Sequence, residues 1–98
     1  MKEPYSILEI KNKILEPAQQ YGIQKAYLFG SYARGEATIK SDIDICIEKG
    51  KIHTLFELSG FCQKLEETLQ KKVDLITTTG LKDNFKEQIK KDMILIYG

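Results

Sequence analysis

The sequence has no tryptophan, two cysteines, two prolines and one histidine among its 98 residues. Each scarcity closes a door. The single histidine, His53, has no cysteine or histidine partner at ligand spacing, which argues against a zinc site and leaves it as a surface or capping residue. Cys46 and Cys62 lie among apolar residues and read as buried thiols in a reducing cytosol, not as a disulfide framework. No apolar run reaches membrane-spanning length and "MKEPYSILEI" holds no apolar signal core, so a cytoplasmic location is expected. Neither sign of charge dominates: 15 Lys and Arg face 14 Asp and Glu, for a net +1. No overall field therefore draws in nucleic acid or a membrane, and neither partner is expected. An anionic ligand has to be caught by a local site.

What is present suits one small domain over residues 1–98. Hydrophobic residues make up 42% and charged ones 30%, a globular balance. A chain this long buries roughly two-thirds of its unfolded surface, enough for one core. Ser6 with Glu9 forms a capping box ahead of Ile7, Ile10, Ile14, Ala18 and Tyr21, which recur at helical spacing. Pro17 within that stripe predicts a kink or break, and Gly22 a stop. "KAYLFG" reads as a buried strand, "SYARGEA" as the start of a short helix, and "TIKS" as loop. Leu55, Leu58, Cys62, Leu65 and Leu69 mark another helix, and Lys72 to Thr77 another strand. Leu81, Phe85 and Ile89 suggest a further helix before a last strand, Met93 to Tyr97. Helices alternating with strands predict an α/β (α+β) architecture in which one mixed sheet packs against helices.

The chemistry is concentrated in "FGSYARGEATIKSDIDICIE", residues Phe29 to Glu48. The run from Asp42 to Glu48 alternates strictly, so Ile43, Ile45 and Ile47 share one strand face while Asp42, Asp44, Cys46 and Glu48 share the other. Two carboxylates converging from one strand repel unless a cation lies between them, and Mg²⁺ takes carboxylate oxygens together with substrate phosphates. Taken alone, such a pair is more often the solvated face of a strand. Gly30 and Ser31, ending one strand and opening a helix, let backbone N–H groups and a hydroxyl approach a phosphate. Arg34, one turn on, can add a planar cationic fork. Lys40 is a weaker candidate for that task, and Ser41 is expected to order the loop. Tyr27 and Tyr32 read as core or rim packing. Lys82, Lys86, Lys90 and Lys91 against Asp83, Glu87 and Asp92 read as a solvated mixed-charge helix face.

In order and spacing, "GSYARGEATIKSDIDICIE" resembles the signature of the DNA polymerase β-like nucleotidyltransferases. More closely it is similar to the minimal nucleotidyltransferases (MNT antitoxins) encoded beside HEPN-domain toxins. The resemblance implies a nucleotidyltransferase fold, Gly30 and Ser31 as the phosphate-binding pair, and Asp42 and Asp44 as metal ligands. It also implies a third carboxylate on a later strand, which Asp74 in "KKVDLIT" matches. Two Mg²⁺ ions and ATP as donor are implied with it. So is transfer of AMP to a tyrosine of the partner toxin, with release of pyrophosphate. Two other readings stand beside this one. An aminoglycoside-type enzyme would modify a small acceptor, although this chain has little room for the helical segments such enzymes add. A non-catalytic antitoxin would act by binding alone, and would be marked by loss of carboxylates that are all present here.

Overall fold

The computed structural model describes residues 4–78, 87 and 90–98. The helix expected around Leu81, Phe85 and Ile89 lies outside the described residues. The order is α1 (Ile7–Tyr21), β1 (Lys25–Phe29), α2 (Gly30–Arg34), β2 (Ile43–Glu48), α3 (Leu55–Leu69), β3 (Val73–Thr77) and β4 (Ile94–Tyr97).

Helix α1 begins where the capping box places it. The Glu9 N–H donates to Ser6 Oγ at 3.1 Å and the Ser6 N–H to Glu9 Oε1 at 3.0 Å, which occupies two amides that lack helical partners. The break that was one of the two outcomes expected at Pro17 is not found; α1 continues to Tyr21 with Pro17 buried. The hydrogen bond that proline cannot donate is the one to Lys13, an exposed residue whose carbonyl can turn to water. Gly22 ends the helix at φ 66°, its N–H bonding back to the carbonyls of Ala18 and Gln19.

The sheet has the order β3-β2-β1-β4. β1 runs antiparallel to β2 and to β4, whereas β2 and β3 are parallel. Pairing Leu28 with Ile45, Ala26 with Ile47 and Ile43 with Val73 puts these side chains on one face. Helices α1 and α3 cover that face with Ile10, Ile14, Ala18, Phe61, Leu65 and Leu69, and together they form the core. Burying each large aliphatic side chain there contributes about 1.5–3 kcal/mol. α1 and α3 are antiparallel: the Tyr5 hydroxyl donates to the Leu69 carbonyl at one end, and the Tyr21 and Phe61 rings meet at 5.3 Å near the other.

The α3 stripe is met at Leu58, Leu65 and Leu69, but Leu55 lies outside it and Phe61 joins it. Leu55 and Phe56 are 84% and 87% exposed, and the buried residues are Phe61, Leu65 and Leu69. The first turn is held by polar groups instead: Thr54 Oγ1 accepts from the Glu57 N–H at 3.1 Å, and Glu57 Oε1 accepts from the His53 N–H at 3.1 Å. Such caps are worth about 1 kcal/mol and need no burial. His53 is thus the exposed capping-region residue its isolation implied. Among the described residues, no helix is long and apolar enough to cross a membrane.

Candidate active site

The second face of the sheet carries the polar chemistry. The register places Tyr27 and Phe29 of β1, Asp44, Cys46 and Glu48 of β2, and Asp74 and Ile76 of β3 on it. Cys46 is fully buried there despite its acidic neighbours, in keeping with its reading as a buried thiol. Burial, then the Glu48 charge, pushes its thiol up from the ordinary cysteine range. Cys46 and Cys62 are both free, and Cys62 is only partly buried.

At the end of β1 the chain turns straight into α2 through Gly30, whose φ is 71°. A β-carbon there would collide with Asp44 Oδ2. The backbone conformation therefore requires glycine at this point, and any side chain added there would displace the Asp44 carboxylate. Phe29, the residue that caps α2, supplies no side-chain acceptor, so the first amides of α2, including that of Ser31, have no side-chain cap from it. Tyr32 anchors α2 in the core with 4% of its surface exposed, and its hydroxyl is buried with no hydrogen-bond partner among the described residues. Burial, with the neighbouring Tyr5, raises the Tyr32 hydroxyl above the usual phenol range. Core packing is the role found for it.

Asp44 and Asp74 are direct partners across the parallel β2–β3 ladder. Their carboxylates meet: Asp44 is raised from 3.8 to about 6, first by partial burial, next by the charge and hydrogen-bonding reach of Asp74, and more weakly by the charge of Asp42. Asp42 lies one residue ahead of β2 and is partly buried, while Asp74 is exposed. The structure thus brings Asp44 and Asp74 together against Gly30 and leaves Asp42 close enough to be felt.

Arg34 opposes this negative charge, lowering the proton affinity of Asp44. Its guanidinium is also engaged elsewhere, with Nε 3.4 Å from Glu36 Oε1 and Nη1 donating to Asp92 Oδ2 at 3.2 Å. Ser41 orders the loop as expected: its Oγ accepts from the Thr38 N–H at 2.8 Å. Lys71 Nζ holds the same loop by donating to the Ile39 carbonyl at 2.7 Å. Lys40 is exposed. Sequence reasoning missed two residues here. Glu36 drew no notice, and Asp92 was read as part of a solvated helix face, yet both pair with Arg34. Only the pairing of β4 with β1 brings Asp92 near, and chain order alone does not disclose it.

Among the described residues, no three Asp, Glu, His or Cys side chains gather tightly enough to hold a metal ion. The donor chemistry nonetheless fits a hard divalent cation. Asp44 and Asp74 offer only oxygens, and their mutual repulsion is relieved by positive charge placed between them.

Comparison with known proteins agrees with this geometry. The model of the family described as polymerase beta, nucleotidyltransferase matches residues 12–98. The chain belongs to that family, and is a nucleotidyltransferase of the minimal kind. Protein adenylyltransferase MntA of Thermococcus cleftensis is 30% identical over 96 residues, covering 98% of this chain and 95% of that one. A candidate protein adenylyltransferase of Methanocaldococcus jannaschii is 38% identical over 89 residues, covering 91% and 96%. Among solved structures, a toxin–antitoxin with AMP-PNP superposes with a TM-score of 0.78 at 28% identity, over 90% of this chain and 73% of that one. A candidate minimal nucleotidyltransferase gives 0.77 at 27% identity, over 92% and 95%.

Proposed function

We propose that this chain is an antitoxin that transfers AMP from ATP to a tyrosine hydroxyl of a HEPN-type toxin. The observation that carries this reading is the meeting of Asp44 and Asp74 against Gly30, at the mouth of an uncapped helix start. The relatives support it, since they bear the name protein adenylyltransferase. So does the neighbour solved as a toxin–antitoxin with an ATP analogue.

In this reading Asp44 and Asp74, with Asp42 drawn in beside them, would hold Mg²⁺, which when bound would supply positive charge to the phosphate oxygens and the leaving group. The Gly30–Ser31 amides and the Ser31 hydroxyl hold the β- and γ-phosphates. Arg34 adds charge at the same end. Asp74, exposed at the edge of the pair, takes the proton from the attacking hydroxyl. A bond forms between that oxygen and the α-phosphorus as the bond to the bridging oxygen breaks, and pyrophosphate leaves.

The test incubates purified protein with ATP labelled at the α-phosphate, Mg²⁺ and the toxin encoded beside it. AMP label on a toxin tyrosine is the expected result. Label on an aminoglycoside with none on the toxin would replace this reading with a small-acceptor enzyme. Toxin neutralisation that survives the double substitution Asp42→Asn, Asp44→Asn would show an antitoxin that works by binding alone.

A further inference from the structure

We infer that Asp92 is a positioning residue for the phosphate end of the site, holding the Arg34 guanidinium where it meets the triphosphate and away from the acidic pair. This rests on the nucleotidyltransferase reading and adds to it a residue outside the signature.

The sheet explains how Asp92 comes to be there. Leu28 of β1 pairs with Ile94 of β4 in antiparallel register. Two residues further along each strand in the same direction lie Gly30 and Asp92, so the approach to β4 runs beside the phosphate cradle. A carboxylate at that place repels a triphosphate unless something neutralises it. Arg34 does so, across 58 residues of sequence, at 3.2 Å.

The guanidinium has five N–H donors in one plane. Glu36 meets it at Nε and Asp92 at Nη1. Neither of these two contacts uses the Nη2 pair, which remains to donate to phosphate oxygens. Held on two sides, the plane is oriented before ligand arrives, and that lowers the ordering cost of binding. Without Asp92, the anions of the site that include Asp44, whose proton affinity Arg34 already lowers, stand to draw the guanidinium. Arg34 would then swing toward them and compete for the charge that a metal ion must meet. The Arg34 and Asp92 side chains are 43% and 33% exposed, so this pair contributes little to folding. Its removal changes where the guanidinium sits rather than whether the chain folds.

The experiment titrates ATP and AMP, each with Mg²⁺, into the full chain and into Asp92→Ala and Asp92→Glu variants, with circular dichroism confirming the fold of each. Transfer kinetics are measured alongside. For Asp92→Ala, ATP affinity is expected to fall roughly threefold to tenfold while AMP affinity stays within about twofold of wild type. KM for ATP should rise more than kcat falls, and Asp92→Glu should recover most of the loss. Equal losses for ATP and AMP would show a merely structural role and overturn the inference, as would unchanged ATP affinity. If the unaltered chain binds ATP no better than AMP, the nucleotidyltransferase reading itself fails and this inference with it. A wild type that prefers the triphosphate beside an unaffected Asp92→Ala variant defeats only the role of Asp92.

Discussion

Strand β2 shows two faces to two different environments. Ile43, Ile45 and Ile47 are fully buried against the helices, while Asp44, from the same six-residue strand, is pressed against Asp74 on the opposite face. The isoleucines contribute about 1.5–3 kcal/mol each. The acid pair opposes folding by about 1 kcal/mol once solvent at the partly exposed Asp44 is allowed for. The difference teaches that one strand can carry a self-repelling site because its other face fixes the register. A slip of one residue would put Asp44 in the core, and the buried isoleucines forbid it.

The comparison breaks most visibly at Asp44. Asp44→Asn is expected to lower the adenylyl-transfer rate by a factor on the order of 10³ or more, with a melting temperature equal to or above that of wild type. Loss of the fold in this variant would show the acid face to be structural. The complementary change is Ile45→Ala, expected to cost about 3 kcal/mol in urea unfolding, the usual price of emptying a buried aliphatic position. Transfer per folded molecule should hardly change in that variant.

The smallest effect is one of pH, measured on protein freed of divalent ions by chelator. Because Asp44 is raised from 3.8 to about 6 in the folded state, the folded chain binds that proton more tightly than the unfolded one. Its contribution is fully present below about pH 4 and is lost as pH rises to about 6. Glu9 and Glu57 are lowered by their cap hydrogen bonds and act in the opposite sense, favouring the fold at higher pH. The reading is therefore the difference between wild type and Asp44→Asn. Wild type should lose about 1 kcal/mol relative to the variant across that window. A difference of the opposite sign would mean that the two carboxylates do not meet.

Much of this was legible in the sequence because it is local. Strict alternation from Asp42 gave both faces of β2, the Ser6–Glu9 spacing gave the start of α1, and Gly22 gave its end. The signature from Gly30 to Asp44 gathered most of the candidate site within a short stretch, and Asp74, which the register sets beside Asp44, was singled out by residue type and strand context. What escaped depends on distant parts of the chain. Pro17 predicts a kink or a break in α1, and no break occurs, because packing on the core side and an exposed Lys13 on the other allow the helix to continue. Leu55 fits the apolar spacing of α3 yet projects beyond the core, since α1 ends near Phe61 and a polar cap suffices for the first turn. Asp92 belongs beside Gly30 only through the β1–β4 register, and no spacing along the chain reveals strand order.

The central claim is that Asp44 and Asp74 form a cation-binding centre beside the Gly30 turn. Its most direct test follows Mn²⁺, a paramagnetic substitute for Mg²⁺, by electron spin resonance as it is titrated into the chain with a non-hydrolysable ATP analogue. Saturable binding by wild type that weakens at least tenfold in both Asp44→Asn and Asp74→Asn is the predicted result. Equal Mn²⁺ binding by all three proteins would contradict the account.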